Sequence, residues 1–224
     1  MIGAPRVHLR TTSSTNDVAR ALAAAGAPAG TIVTAAEQTA GRGRQGRRWT
    51  APPGRALLLS VVVRALDPLL SLRAGLAVAD VVGADARVKW PNDVLVDGRK
   101  VAGILVEGRP QEGWAVIGIG VNVAVAPDDL PEELRATAGT LGRTPAELPG
   151  VLADLLAALR ARLGQPAPDA LAALRARDAL LGRPVRWRDG DGVGAGISDT
   201  GALLVRTTGG DVVALDAGEV HLGR

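Results

Sequence analysis

Cysteine, tyrosine and phenylalanine are absent from this 224-residue chain, which has one methionine and two histidines. Without cysteine there is no disulfide framework and no thiolate metal site, a pattern that fits a reducing compartment and sets the expectation of a cytoplasmic protein. His8 and His221 leave little for an imidazole metal site. The longest apolar runs, around 56–63 and 115–121, fall well short of the roughly 20 residues that a membrane-spanning helix needs. The N-terminal MIGAPRVHLR lacks the apolar core of a secretory signal. No membrane partner is expected.

Charge is also scarce in one form. Lys and Arg together number 26, yet the only lysines are Lys89 and Lys100. The net charge is +3, and the high pI reflects in part the lack of Tyr and Cys to titrate below Arg. A dense basic face of the kind that binds nucleic acid without sequence preference is not evident. One cluster stands out, Arg42, Arg44, Arg47 and Arg48. Where composition presses so strongly toward arginine, a lysine position calls for a compact, strongly hydrated ammonium. Lys89 is therefore the leading candidate for a catalytic cation, with Lys100 in support.

What remains is an apolar, glycine-rich chain (47% hydrophobic, 29 Gly) of ample length for a core. Ser13, Ser14, Thr15 and Asn16 are helix-capping types ahead of an alanine-rich helix that Gly26 stops. Segment 31–38 reads as a strand, and 56–64 as a strand buried on both faces. Between them, 39–55 is a long polar loop rich in Gly and Pro, the kind that is functional or disordered. A helix is expected over 70–82, a hairpin about Asp97–Gly98, and an apolar strand over 114–125. Thr144–Glu147 forms a capping box before an amphipathic helix with Leu148, Val151, Leu152, Leu155, Leu156, Leu159 and Leu163 on one face. A further helix over 169–181 ends at Gly182. From Arg183 on, short strands separated by Gly/Asp turns have the size of an SH3-like barrel. The expected division is 1–182 and 183–224.

Residues 41–46 satisfy G-x-G-x-x-G literally. A dinucleotide site needs those glycines to open a helix, and Arg47–Pro53 cannot form one. No Walker A loop occurs. The loop offers instead close backbone approach at its glycines, several guanidiniums that would converge on an anion, and the flat face of Trp49.

The ordered motifs resemble those of biotin–protein ligases. They are Ser14-Thr15-Asn16, Glu37 to Trp49 (EQTAGRGRQGRRW), Lys89-Trp90-Pro91-Asn92-Asp93, Arg99 to Glu107 (RKVAGILVE) and Gly118-Ile119-Gly120-Val121-Asn122. The resemblance implies an α+β fold, a mixed sheet flanked by helices as in class II synthetase-like enzymes, with a C-terminal SH3-like barrel. It implies biotin and ATP with Mg2+ as reactants, biotinyl-5′-AMP as intermediate, and the biotin carboxyl carrier domain of a carboxylase as acceptor. By family position, Ser14, Thr15, Asn16, Gln38, Gly41, Arg42, Gly43, Arg44, Lys89 and Gly103 would hold biotin. Arg44, Arg47, Trp49, Asn92, Lys100 and Asn122 would hold the nucleotide, and Lys89, Arg42 and Arg44 would act in catalysis. The metal ligands are not indicated. The family's longer members carry an N-terminal DNA-binding module with no counterpart in this sequence, so no sequence-specific DNA binding is expected; the chain would act as a monomer or homodimer. Two other readings are a lipoate or octanoate ligase or transferase of the same fold, and a nucleic-acid-binding barrel using Trp187 with Arg183, Arg186, Arg188, Arg206 and Arg224.

Overall fold

The computed structural model describes residues 2–64 and 66–223; Met1, Ala65 and Arg224 lie outside the described residues. The chain opens on strand β1 (Arg6–Thr12), helix α1 (Thr15–Ala24), β2 (Ile32–Gln38) and β3 (Ala56–Val63). Helix α2 (Leu70–Val82) follows, then β4 (Arg87–Lys89), β5 (Asp93–Val96), β6 (Arg99–Arg109) and β7 (Trp114–Asn122). A short helix α3 (Glu132–Arg135) leads to α4 (Leu148–Gly164) and α5 (Ala167–Ala176). The chain closes with β8 (Pro184–Trp187), β9 (Gly190–Ile197), β10 (Leu203–Thr207), β11 (Val212–Leu215) and β12 (His221–Leu222).

Two sheets result. Seven strands run in the order β1-β2-β3-β7-β6-β5-β4, with β1 parallel to β2 and the rest antiparallel. Five C-terminal strands form an antiparallel sheet, β11-β10-β9-β8-β12. The fold is thus the α+β arrangement of a mixed sheet flanked by helices, joined to a small all-β unit. Strand β3 is buried at every position, because α2 and α4 cover one face of the large sheet and α1 part of the other.

Local chemistry explains most element ends. Asp97 and Gly98 turn the β5–β6 hairpin with φ of 49° and 75°, the left-handed pair of a type I′ turn. The capping box holds as expected, with Thr144 N–H and its hydroxyl both donating to Glu147 Oε2 at 2.8 and 2.9 Å. Val151, Leu152, Leu155 and Leu159 of α4 are buried.

Three expectations are corrected. Ser14 occupies the N-cap of α1, but its side chain makes no cap hydrogen bond; the first turn is instead fastened by tertiary contacts. Helix α5 stops at Ala176 and not near 181, because 177–179 leave the helix to bond β4: Val88 N–H donates to Arg177 O and Ala179 N–H to Val88 O. Strand β7 ends at Asn122, where the backbone carbonyl turns to accept from Leu141 N–H. Strand β1 was not anticipated, although Arg6, Val7, His8, Leu9 and Arg10 alternate polar and apolar; it lies at the sheet edge with Arg6, His8 and Arg10 exposed and Val7 and Leu9 only partly covered.

Candidate active site

A cavity of about 520 Å3 opens over the large sheet. It is lined by Ser14, Thr15, Asn16, Gln38, Arg42, Gly43, Arg44, Arg47, Trp49, Lys89, Asn92, Lys100, Gly103 and Asn122. Gly41 packs beneath Trp49 and Gln38, where a Cβ would collide with the Trp49 carbonyl. Residues from five separate motifs, up to 108 positions apart in the chain, are therefore brought to one concavity. Such a concavity with converging polar groups is the usual form of a ligand site.

The buried end is built around the start of α1. Gln38 Oε1 accepts from Thr15 N–H at 2.7 Å and from the Thr15 hydroxyl at 3.0 Å. Asn16 Nδ2 donates to Glu107 Oε2 at 2.7 Å and lies 3.4 Å from Leu105 O. Asn16 Oδ1 accepts from the Ser60 hydroxyl at 2.6 Å, and that hydroxyl is also 2.8 Å from Thr15 Oγ1. Ser14, Thr15 and Asn16 are all buried, and Ser60 is fully so. A donor and acceptor count follows. The Asn16 amide is engaged at both ends, whereas Gln38 Nε2 and the Ser14 hydroxyl remain open to a ligand.

Ser60 and Glu107 were not singled out from the sequence as site residues. Ser60 carried a readable signal: a serine inside ALLLSVVV, a strand buried on both faces, must find partners for its hydroxyl. Gly118 belongs to the same end, because a Cβ there would overlap the Asn16 amide.

The other end is cationic. Arg42 Nη2 is 2.6 Å from Asp17 and 2.9 Å from Glu107, so this guanidinium is held by carboxylates. Arg44 donates to Asn92 Oδ1 at 3.1 Å and to Gly218 O at 3.0 Å, both neutral acceptors. Arg47 pairs with Glu219 of the C-terminal unit. Lys100 Nζ is 2.6 Å from Asp93 and 5.8 Å from the centroid of Trp49. Among the described residues, no carboxylate lies within ion-pair distance of Lys89, although Lys89 and Asp93 are paired across the β4–β5 hairpin. Burial pushes the Lys89 ammonium below the ordinary lysine value of 10.5, with nearby Asp93 opposing and Lys100 reinforcing that shift. Burial likewise lowers Arg44, with Asp93 and Glu219 opposing. Lys89 and Arg44 are thus partly desolvated cations without a carboxylate partner in contact, an arrangement that favours an incoming anion.

Trp49 lies on a floor of glycines. A Cβ at Gly120 would strike its ring, and one at Gly103 would lie 3.0 Å from Trp49 Cζ3 and 3.2 Å from Lys100 Nζ. Lys100 therefore lies over Gly103, beside the Trp49 ring. Asn122 is buried, donates from Nδ2 to Gly139 O at 2.9 Å, and keeps a buried Oδ1 without a partner. Trp90 is a structural anchor, donating from Nε1 to Gly201 O of the C-terminal unit at 3.0 Å. Among the described residues no group of three or more His, Asp or Glu side chains is placed to hold a metal ion. Asp93 is the one carboxylate in the cavity lining and is engaged by Lys100, so the protein does not present a ready cage for Mg2+. No helix among the described residues is long and apolar enough to cross a membrane.

Fold and site together define a class: an α+β domain with a polar pocket over its large sheet, a glycine/arginine loop along the pocket and an appended all-β unit. The chain matches the biotin/lipoate A/B protein ligase family over residues 8–123 and the biotin protein ligase C-terminal domain over 180–223. It belongs to the biotin/lipoate A/B protein ligase family. It is 41% identical to the biotin–[acetyl-CoA-carboxylase] ligase of Paracoccus denitrificans, over 96% of this chain and 99% of that protein. The protein of that name from Mycobacterium tuberculosis is 39% identical over 94% of this chain and 86% of its own length. The solved structure of a biotin protein ligase from Aquifex aeolicus in complex with biotin and ATP superposes with a TM-score of 0.84 at 28% identity, covering 99% of both chains.

Proposed function

We propose that this protein is an ATP-dependent biotin–protein ligase. A biotin carboxylate oxygen attacks the α-phosphorus of ATP, and the bond to the bridging oxygen breaks to release pyrophosphate. The amine of a carrier-protein lysine then attacks the acyl carbon of biotinyl-5′-AMP, and AMP leaves as the amide forms. The carrier is the biotin carboxyl carrier domain of a carboxylase, and the setting is the cytoplasm.

The observation that carries this reading is the polarity of one continuous cavity. Its buried end offers neutral donors and acceptors, Gln38 Nε2 and the Ser14 hydroxyl, suited to an uncharged ureido ring. Its open end offers the cations Arg44, Lys89 and Lys100, suited to a carboxylate and a phosphate chain. Both steps concentrate negative charge on oxygen, and fixed cations in a desolvated site stabilise such charge without protein nucleophiles. Lys100 lies beside Gly103 and 5.8 Å from the Trp49 ring centre, and it is near enough to Lys89 to act on its charge. We assign these two ammonium groups jointly to the adenylation step. Asn122 Oδ1 and the Trp49 face are assigned to the nucleotide, with Arg47 and Asn92 supporting the loop that covers it. Mg2+ enters with the ATP phosphates and neutralises part of their charge.

The barrel reading as a nucleic-acid module is less favoured, since Trp187 is closely packed by Gly190, where a Cβ would lie 2.8 Å from Cζ2. Pyrophosphate–ATP exchange with biotin, lipoate and octanoate in parallel tests the assignment. Exchange with biotin alone is expected; exchange with lipoate and not biotin overturns it.

A further inference from the structure

Glu107 stands behind the cavity wall and bonds a lining residue from each end, Asn16 and Arg42. On β6, its Oε2 accepts from Asn16 Nδ2 at 2.7 Å and from Arg42 Nη2 at 2.9 Å. Its Oε1 is 3.5 Å from Arg20, and Asp17 contributes a second carboxylate to Arg42 at 2.6 Å. Asn16 is fixed from behind by the fully buried Ser60. An unbroken chain of contacts thus runs Ser60–Asn16–Glu107–Arg42, from the centre of the sheet into the glycine/arginine loop.

We propose that Glu107 is a positioning residue that couples the buried, ligand-recognising end of the cavity to the anion-binding loop. Three observations carry this. The Asn16 amide is engaged at both its oxygen and its nitrogen, so its part is to set the geometry of the pocket wall. Arg42 is held by Glu107 and Asp17 through Nη2, which leaves its buried Nε as a donor without a partner, oriented by that clamp. Beyond Arg42, the loop closes on itself through Gly43 N–H to Arg47 O at 2.7 Å and Trp49 N–H to Gly41 O at 3.0 Å, so the position of Arg42 sets where Arg44, Arg47 and Trp49 begin. Charge-assisted bonds from one carboxylate to two donors are short and directional, and neither donor can shift without disturbing the other.

This inference rests on the ligase reading for its substrate, and the test separates the two. Exchange kinetics are measured with whichever acid drives exchange in the unaltered protein, so an error in the acid's identity leaves the role of Glu107 measurable. Glu107→Ala is expected to raise KM for that acid by about tenfold, the scale of one lost charge-assisted hydrogen bond, while KM for ATP changes by less than about threefold. Limited trypsin digestion between Arg42 and Arg48 is expected to accelerate in the ligand-free variant. Glu107→Gln keeps the shape and an acceptor for Asn16, and should recover most of the acid KM while leaving the loop cleavable. Arg42→Gln and Glu107→Gln, combined, should be clearly non-additive in the rate of cleavage after Arg44, Arg47 and Arg48, the sites that both variants keep. A purely structural role would lower the active fraction, hence kcat, without moving KM. Additive effects, an acid KM for Glu107→Ala within twofold of the unaltered protein, or equal rises in both KM values would overturn the proposal.

Discussion

The two ends of the cavity are built by opposite strategies. The buried end, around Ser14, Thr15, Asn16, Gln38 and Ser60, is a network of mostly neutral hydrogen bonds on α1, β2 and β3, tied at Asn16 to the Glu107 carboxylate. The open end is a set of cations on a loop and a hairpin: Lys100 is paired with Asp93 of the adjacent strand and Arg47 with Glu219 of the C-terminal unit, while Lys89 and Arg44 have no carboxylate in contact among the described residues. A neutral network is unforgiving, because a lost partner leaves a buried polar group unsatisfied at about 1–3 kcal/mol. A cationic cluster is exchangeable, since a substrate anion can take the place of a protein carboxylate. Rigid recognition and yielding electrostatics therefore sit side by side.

The largest effect that would sharpen this contrast lies at the open end. Lys89→Ala and Lys100→Ala should each cut pyrophosphate exchange by about 10²–10³, the usual consequence of removing one preorganised charge. Lys89→Arg should be as damaging, because a planar fork does not replace a compact ammonium. Carrier labelling from pre-made biotinyl-5′-AMP should suffer less. Near-full exchange by Lys89→Arg would mean that charge alone suffices there.

At the buried end, Gly118→Ala introduces a Cβ that overlaps the Asn16 amide. Displacing that amide should raise KM for biotin by about tenfold or more, through loss of one to two buried hydrogen bonds, with ATP affinity little changed. Equal losses for biotin and ATP, measured by exchange kinetics, would erase the division between the two ends.

The pH dependence addresses Lys89 directly. Because burial lowers its value in the folded chain below 10.5, the unfolded chain binds that proton more tightly. The buried charge therefore costs stability at neutral pH, and the cost is relieved as pH rises through the interval up to 10.5. Activity has the opposite sense under the proposed role, in which the ammonium contacts the reacting anion: kcat/KM should fall on an alkaline limb below the ordinary lysine range. Removing the opposing carboxylate by Asp93→Asn should move that limb to still lower pH. An unmoved limb would detach Lys89 from it.

The smallest effect is expected from the link to the C-terminal unit. Glu219→Gln removes the charge partner of Arg47, whose side chain is more than half exposed, and exposed pairs contribute little. KM for ATP should change by no more than about threefold, with faster tryptic cleavage at Arg47. A loss comparable to that of the lysine variants would show that the C-terminal unit acts in the chemistry.

The sequence by itself determined the elements and most of the cavity. Apolar runs such as 56–63, the Asp97–Gly98 turn and the Thr144–Glu147 capping box are local signals, set by burial period, left-handed backbone preference and side-chain reach. The motifs also named most of the polar lining, whereas the wall from Leu130, Leu134, Thr137 and Ala138 and the rim at His221 and Leu222 carry no motif and were not legible. Tertiary structure alone decided which polar atoms are engaged and which are open. No spacing in the chain foretells that Asn16 meets Ser60 and Glu107, 44 and 91 positions away. Nor does any spacing indicate that Lys100 lies over Gly103 paired with Asp93 while Lys89 is left partly desolvated. Hydrogen-bond satisfaction and desolvation depend on what the sheet brings together across its strands, and strand order is settled only when the whole core packs.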